Sequence, residues 1–271
     1  MSELDDVNTR GLLLLGCGKM GSAMLAGWLE RGVETGSVWV SDPNPSEWLT
    51  ARGVHLNAEM PSDPAIVLIA VKPQLMNDAL PAISNFGGGR TLFISVAAGT
   101  PIAYFEAAFG AHSPIIRAMP NTPAAVGRGI TALVGNDAAT ETHMQLAEGL
   151  LSAVGQTVRL RDEGQMDAVT GVSGSGPAYV FHLIEAMTAA GEAEGLDHEL
   201  ALKLATATVA GAGALAEQSG ESPGQLRENV TSPAGTTAAG LSVLMDAQSG
   251  LPPLMRRTVA AAANRARELS K

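Results

Sequence analysis

The chain has 271 residues, a formal net charge of -10 at pH 7, 46% hydrophobic residues and only 16% charged residues. A chain of this length and composition folds into one large or two modest globular domains and is not intrinsically disordered. The aromatic content of 4% leaves few rings for stacking nucleic-acid bases, and the acidic balance lacks the Lys and Arg cluster of a duplex-binding domain. We therefore expect no nucleic-acid partner.

The first ten residues are polar and acidic, unlike a secretory signal or a transit peptide, and no apolar stretch reaches the roughly 18 residues that span a bilayer. Cys17 is the single cysteine, which excludes internal disulfides and a metal cluster built from cysteines. The histidines show no ligand spacing with acids, so we expect no metal site. These features predict a cytoplasmic protein without a membrane segment.

Short apolar runs alternate with helical stretches in the first part of the chain. The predicted strands are residues 12–15, 38–41, 66–71, 91–96 and 115–119. The predicted helices between them are residues 20–30, 45–52, 74–84 and 101–109. Such alternation implies a parallel sheet with helices on both faces, extended by residues 131–134, 141–154 and 157–160.

The pattern of apolar residues changes after about Arg161. Strand-like runs vanish, and Ala-rich helical patterns follow at residues 176–194, 198–218, 223–229, 236–248 and 252–270. We place the domain boundary between residues 162 and 163, giving domains 1–162 and 163–271. Helices that are apolar on several faces have little to bury against within one chain, so the second domain is predicted to pair with another copy, as a dimer or a multiple of dimers.

A glycine-rich loop follows the first predicted strand and opens a helix. It reads Gly16-Cys17-Gly18-Lys19-Met20-Gly21 and fits the pattern G-x-G-x-x-G. In that pattern the first Gly allows the tight turn, the second lets the backbone approach a pyrophosphate, and the third lets the helix pack on the strand. The fold class is therefore α/β, with an N-terminal Rossmann-type dinucleotide-binding domain and an all-helical C-terminal dimerisation domain.

Asp42 follows the second predicted strand, about 20 residues after this loop, where an acid that binds the cofactor ribose is expected. A carboxylate there favours NAD over NADP because it repels a 2′-phosphate. Residues 41–50 contain no Lys or Arg, yet Ser41, Asn44 and Ser46 have groups that hydrogen-bond a phosphate. Alternatively, Asp42 only starts the Asp-Pro turn. The sequence leaves the preference between NADPH and NADH open.

Further loops follow the other predicted strands. Ligands of an open α/β sheet lie at the carboxyl ends of its strands, which here carry Val71-Lys72-Pro73 and Ala98. Lys72 is the cation of these loops, and it either contacts the cofactor or is an ordinary exposed lysine.

Five segments together resemble the pyrroline-5-carboxylate reductase family. They are residues 16–21, 71–73, 119–123, 167–179 and 231–237, in that order. The last two, DAVTGVSGSGPAY and TSPAGTT, are the specific ones, since many dehydrogenases share the glycine loop. The resemblance implies the NAD(P)H-dependent reduction of L-1-pyrroline-5-carboxylate to L-proline, the last step of proline biosynthesis.

The resemblance also implies roles for individual residues. It places the substrate among Glu163, Asn229, Ser232, Thr236 and Thr237, with Asn229 also facing the nicotinamide. The cofactor would be lined by Gly16, Cys17, Gly18, Lys19, Met20, Gly21, Asp42, Val71, Lys72, Pro73 and Ala98. The family usually has two glycines after Ser-Pro where this chain has Ala234 and Gly235, so the extra methyl is expected to shift that loop slightly.

The reaction needs a hydride above the imine carbon, a docked carboxylate and a proton for the nitrogen. Residues 231–237 read as a turn that enters a helix, whose free backbone N–H groups suit the carboxylate. We assign Thr237 as the catalytic residue, with its hydroxyl bonded to the imine nitrogen. The plain alternatives are N-capping by Ser232, Thr236 and Thr237 and helix-dipole compensation by Glu163.

Two rival functions remain. A β-hydroxyacid dehydrogenase has a similar second-domain glycine pattern, matched by Gly171, Gly174 and Gly176, but its catalytic Lys and Asn positions hold Val180 and Ile184. A non-catalytic cofactor sensor would bind the dinucleotide without turnover. An assay with a hydroxyacid substrate separates the first rival, and a turnover assay separates the second.

Overall fold

The computed structural model describes residues 3–270. Two compact units divide the chain, the first comprising Met1–Gly174 with Ala263–Lys271 and the second Ser175–Ala262. Sequence analysis places the domain boundary earlier, between residues 162 and 163. Residues 1, 2 and 271, which belong to the predicted domains, lie outside the described part of the chain.

One sheet lies at the centre of the first unit. Its strands are β1 (Leu12–Leu15), β2 (Val38–Ser41), β3 (His55–Leu56), β4 (Ile66–Ile69), β5 (Leu92–Ser95), β6 (Ile115–Met119), β7 (Gly129–Gly135) and β8 (Gly155–Arg159). Their order is β3-β2-β1-β4-β5-β6-β7-β8. The chain reverses its direction of growth between β1 and β4, which is the switch point of a Rossmann-type sheet. The predicted α/β class is thus confirmed.

The helices of the first unit cover both faces of this sheet. They are α1 (Glu3–Arg10), α2 (Lys19–Glu30), α3 (Glu47–Thr50), α4 (Met76–Ala79), α5 (Ile102–Phe109), α6 (Glu141–Leu151) and α7 (Met166–Val169). Successive side chains of a strand point to opposite faces, so Leu14 packs in a core cluster with Trp28 while Leu13 packs in another with Phe105. The indole of Trp28 also donates to the Leu150 carbonyl at 2.9 Å. Burial on both faces explains why β1 is four leucines in a row.

Several details differ from the sequence prediction. Strand β7 runs antiparallel to β6, whereas every other neighbouring pair is parallel. The predicted helix at 74–84 is mostly 3-10 helix, at Pro73–Leu75 and Leu80–Phe86, because Pro81 falls inside it and lacks a backbone donor. The two-residue strand β3 and the polar helix α1 were not predicted, since neither has a long apolar pattern.

The second unit is helical, as predicted. Its helices are α8 (Gly176–Ala193), α9 (His198–Gln218), α10 (Pro223–Asn229), α11 (Thr236–Leu244) and α12 (Leu251–Leu269), the last continuing into residues assigned to the first unit. Helices α8 and α9 pack closely, because a Cβ on Gly191 would lie only 3.2 Å from the Ala201 Cβ. Asp197 caps α9 by accepting the Leu200 N–H. Large side chains such as Phe181 and Leu204 stay exposed in the single chain.

The expectation that no segment is long and apolar enough to cross a bilayer is wrong for α9. Within the described residues this one helix, His198–Gln218, reaches a mean hydropathy of 1.2 over an 18-residue window, of which 11% is buried. Its many Ala and Leu residues and few charges produce that value. One such helix is weak evidence of a membrane span, because helices that pack in soluble proteins pass the same test.

Candidate active site

The glycine loop between β1 and α2 has a backbone that side chains would obstruct. Gly16 has a φ of +85°, and a Cβ there would lie 3.0 Å from the Ala70 carbonyl oxygen. A Cβ on Gly21 would lie 2.7 Å from the Gly16 carbonyl oxygen. The region around Gly18 is open, with nothing within 4 Å of the position of a Cβ. The first and third glycines therefore shape the turn, and the second leaves its backbone accessible.

Helix α2 begins at Lys19 with Gly18 as its N-cap, and no side chain caps it. The first N–H groups of a helix lack partners within the helix, and together they carry a partial positive charge. An accessible, uncapped helix N-terminus beside Gly18 fits a pyrophosphate. The loop therefore fits the dinucleotide that its sequence pattern predicts.

Asp42 joins the end of β2 to the glycine loop. One carboxylate oxygen, Oδ2, accepts the Cys17 N–H at 2.6 Å, and Oδ1 accepts the Asn44 N–H at 2.8 Å. The side chain of Asn57 bonds the backbone of Asp42 twice, accepting from its N–H at 2.9 Å and donating to its carbonyl at 2.8 Å. Asn57, which sequence reasoning missed, is thus part of this end of the sheet.

The side chains of the loop itself differ in exposure. Cys17 is buried, and the Ser22 hydroxyl lies 3.5 Å from its sulfur. Burial raises the pKa of the Cys17 thiol above its ordinary value, so the neutral thiol is favoured. Lys19 is exposed and Met20 is half-buried.

The remaining predicted cofactor residues follow β4 and β5. Lys72 is exposed and precedes the 3-10 helix Pro73–Leu75, while Val71 is half-buried and Ala98 is exposed. Strands β2, β1, β4 and β5 are parallel neighbours, so their carboxyl ends share one edge. The structure therefore brings the predicted cofactor residues of the first unit to a common edge of the sheet.

Glu163 lies in the first unit, next to a buried cation. Its Oε1 accepts from Arg117 at 2.7 Å and from the Ile102 N–H at 2.9 Å. The Arg117 side chain, on β6, is only 6% exposed. A single Arg inside the apolar strand Ile115–Met119 was the available sequence signal for this pair, and sequence reasoning did not use it.

Four predicted substrate residues lie in the second unit, between the end of α10 and the start of α11. Asn229 bonds to Gln225 and Glu221 at 2.9 Å each. Ser232, Thr236 and Thr237 are exposed. Helix α11 begins at Thr236, its N-cap is Gly235, and no side chain caps it. The alternative that Ser232, Thr236 and Thr237 serve as N-caps of this helix is therefore wrong.

Ala234 precedes this N-cap with a φ of +59°. That left-handed conformation suits glycine and strains any residue with a Cβ. The position is the one at which the sequence departs from the family's pair of glycines, so the methyl is accommodated in the glycine-like backbone conformation.

The histidines have ordinary partners where the structure records them. His143 forms a capping box with Thr140, His182 bonds Glu185, His198 bonds Glu192, and His55 stacks on Trp39 with ring centroids 4.4 Å apart. Burial lowers the pKa of His143. Within residues 3–270, no group of three or more His, Cys, Asp or Glu side chains is placed to hold a metal ion.

Comparison with known proteins matches both parts of the chain. Residues 163–269 match the family described as "Pyrroline-5-carboxylate reductase dimerisation", and residues 12–99 match "NADP oxidoreductase coenzyme F420-dependent". A pyrroline-5-carboxylate reductase of Pseudomonas aeruginosa is 38% identical over 98% of each chain.

Solved structures of pyrroline-5-carboxylate reductases are also similar to this chain. A pyrroline-5-carboxylate reductase from Coxiella burnetii has a TM-score of 0.91 and 33% identity, covering 97% of this chain and 99% of that one. The pyrroline carboxylate reductase of Plasmodium falciparum with NADP bound has a TM-score of 0.81 and 28% identity, with the same coverage.

Proposed function

The chain belongs to the pyrroline-5-carboxylate reductase family, and on that premise we propose that it reduces L-1-pyrroline-5-carboxylate to L-proline with NADH or NADPH. This is an oxidoreductase reaction on a C=N bond and the last step of proline biosynthesis. The observation that carries the proposal is the 38% identity to a named reductase along nearly the whole of both chains. The N-termini of α2 and α11, neither of which has a side-chain cap, support a reaction between two anionic molecules.

The first unit holds the cofactor in this proposal. The backbone N–H groups at the start of α2 bind the pyrophosphate, and Asp42 accepts hydrogen bonds from the adenosine ribose. Lys72 contributes positive charge at the same sheet edge. Bound NAD(P)H supplies the hydride for the imine carbon.

The second unit provides the groups for the substrate. The uncapped N–H groups of Thr236 and Thr237 bind the substrate carboxylate, and Ser232 adds a hydroxyl donor. The Thr237 hydroxyl bonds the ring nitrogen. A threonine hydroxyl is too weak an acid to protonate an imine alone, so Thr237 orients a protonated iminium or relays a proton from water. Asn229, held by Gln225 and Glu221, faces the nicotinamide.

Glu163 stays a predicted substrate contact. Its Oε1 already accepts from Arg117 and from the Ile102 backbone. A bond to the substrate therefore falls to Oε2, and the Arg117 pair fixes the direction of that oxygen.

The same proposal covers assembly and location. We expect a homodimer or a multiple of dimers in the cytoplasm, without a membrane or nucleic-acid partner. The dimerisation family matched by residues 163–269 and the exposed apolar side chains of the second unit support the assembly. The net charge of -10 supports the absence of nucleic acid.

A spectrophotometric assay tests the function. Oxidation of NADH and of NADPH is followed with L-1-pyrroline-5-carboxylate, and proline is identified as the product. A hydroxyacid offered with NAD or NADP is the control for the dehydrogenase alternative. Turnover of the hydroxyacid alone, or cofactor binding without any turnover, would reject the proposal.

A further inference from the structure

We infer that this chain selects NADH over NADPH, that Asp42 is the specificity-determining residue, and that Asn57 positions it. The inference rests on the proposed function only in taking a nicotinamide dinucleotide as the ligand of the glycine loop. Membership of the family does not imply this preference, since the pyrroline carboxylate reductase of Plasmodium falciparum has NADP bound.

Two backbone N–H groups hold the carboxylate of Asp42 in place, and it can still accept further hydrogen bonds. Cys17 and Asn44 each donate one backbone N–H to it, through different oxygens. An ionised carboxylate has about four lone-pair sites, so about two remain for further donors. The two hydroxyls of an unmodified ribose are such donors. A 2′-phosphate replaces one donor by an anion, which the carboxylate repels.

Asn57 fixes the backbone that carries this carboxylate. Its side chain accepts the Asp42 N–H and donates to the Asp42 carbonyl, and its own N–H donates to the Val40 carbonyl at 2.8 Å. Its φ of +50° is the left-handed conformation that Asn tolerates better than most residues. Asn57 thus fixes the backbone of Asp42, while the N–H groups of Cys17 and Asn44 hold the carboxylate itself, so that it has little freedom to turn away from a 2′-phosphate.

The segment after β2 offers no compensating positive charge. Residues 41–50 contain no Lys or Arg, and Glu47 adds a second negative charge. The guanidinium of Arg52 lies 4.4 Å from the centre of the Trp48 ring, in a cation–π contact. The cations of the glycine loop and of the loop after β4, Lys19 and Lys72, follow other strands.

Equilibrium binding of NADH and NADPH to the full-length protein, measured by titration calorimetry without imine substrate, tests the inference. We expect NADH to bind at least about tenfold more tightly than NADPH. Asp42→Asn keeps the size of the side chain and removes its charge, so it should tighten NADPH binding about tenfold or more and weaken NADH binding only a few-fold. Asn57→Gly tolerates the left-handed backbone, removes both bonds to Asp42, and should reduce the preference several-fold.

Glu47→Gln is the matched control, because it removes one exposed negative charge from the same segment without touching the Asp42 bonds. It should change the affinity ratio less than about twofold. Circular dichroism verifies the fold of each variant. If Asn57→Gly is unfolded, Asn57→Asp serves instead, since it keeps the acceptor for the Asp42 N–H and loses the donor.

Equal affinity of the wild type for both cofactors, or an unchanged ratio in Asp42→Asn, overturns the assignment of Asp42. An effect of Glu47→Gln as large as that of Asp42→Asn assigns the preference to the general charge of the segment instead. An unchanged ratio in the folded Asn57 variant removes its positioning role. Because no imine is present, these outcomes are independent of the reductase assay.

Discussion

The two units bury their apolar side chains to very different degrees. In the first, leucines, isoleucines and phenylalanines on both faces of the sheet are almost fully buried within the single chain. In the second, the buried residues are small, such as Ala201, Ala205 and Thr188, while Phe181, Leu204 and Leu215 are about half exposed. The first unit therefore has a complete hydrophobic core, whereas the second exposes large apolar side chains, as expected of a surface that pairs with another copy.

This difference separates two tasks. In the proposed function the first unit is stabilised by its own hydrophobic core and binds the cofactor at the carboxyl edge of its sheet. In the proposed function the second unit gains stability from association with another copy, and the N-terminus of α11, which has no side-chain cap, binds the substrate. Substitutions in the two units should consequently fail in different ways.

The largest effect is expected from Phe181→Glu on α8. A charge at this 59% exposed apolar position opposes burial against a partner, so the variant should dissociate or aggregate and lose more than about 100-fold in activity. Light scattering and the reductase assay measure the two effects. Val126→Glu, at a 75% exposed position of the first unit, should leave the assembly size unchanged. A wild-type protein that is fully active as a monomer would contradict the proposed association through the second unit.

A pair of identical substitutions sharpens the contrast in stability. Leu13→Ala, at a fully buried position of β1, should cost about 2–5 kcal/mol, with a Tm shift that does not depend on protein concentration. Leu204→Ala, at a 49% exposed position of α9, should lower the Tm by an amount that grows as the protein is diluted. Thermal denaturation over a range of concentrations distinguishes the two. The same concentration dependence for both variants would show that the second unit is stable alone.

A second pair separates cofactor binding from chemistry. Thr237→Ala should lower kcat about 10- to 100-fold and leave the Kd for NADH nearly unchanged, since it removes one bond to a charged group. Gly21→Ala should do the reverse, because its Cβ would meet the Gly16 carbonyl oxygen at 2.7 Å and displace the cofactor loop. Thr237→Ser is the control that keeps the hydroxyl. Unchanged turnover in Thr237→Ala, with only the Tm lowered, would reduce Thr237 to a structural residue.

The smallest effect is expected from Ala234→Gly. The left-handed backbone at this residue costs alanine about 1–2 kcal/mol, and the greater freedom of glycine in the unfolded chain offsets roughly half of that. The variant should therefore be more stable by about 0.5–1 kcal/mol in urea denaturation, with kcat within about twofold of the wild type. A loss of stability would mean that the Ala234 methyl makes packing contacts worth more than the strain.

The sequence predicted those features that depend on local pattern. The four leucines of β1 are the apolar run of a strand buried on both faces, and Gly16, Gly18 and Gly21 follow it at fixed spacing, so the strand, the loop and the helix were all identified. The short strand β3 has too few residues for a periodic signal.

Other features depend on contacts between distant positions. Nothing local to Asn57 indicates that it bonds the backbone of Asp42, 15 residues away. The pair of Arg117 and Glu163 joins residues 46 apart, and the direction of β7 depends on which neighbour it reaches. Such contacts follow from the assembled sheet and not from any window of sequence.

The placement of the tryptophans has a practical consequence. Trp28, Trp39 and Trp48 are the three tryptophans of the chain, and all three belong to the first unit. Tryptophan fluorescence therefore reports the unfolding of the sheet-containing unit alone, whereas far-UV circular dichroism reports the loss of helix in both units. Recorded on one sample, the two signals show whether the units melt together or in succession, since coincident curves are the mark of a single cooperative transition.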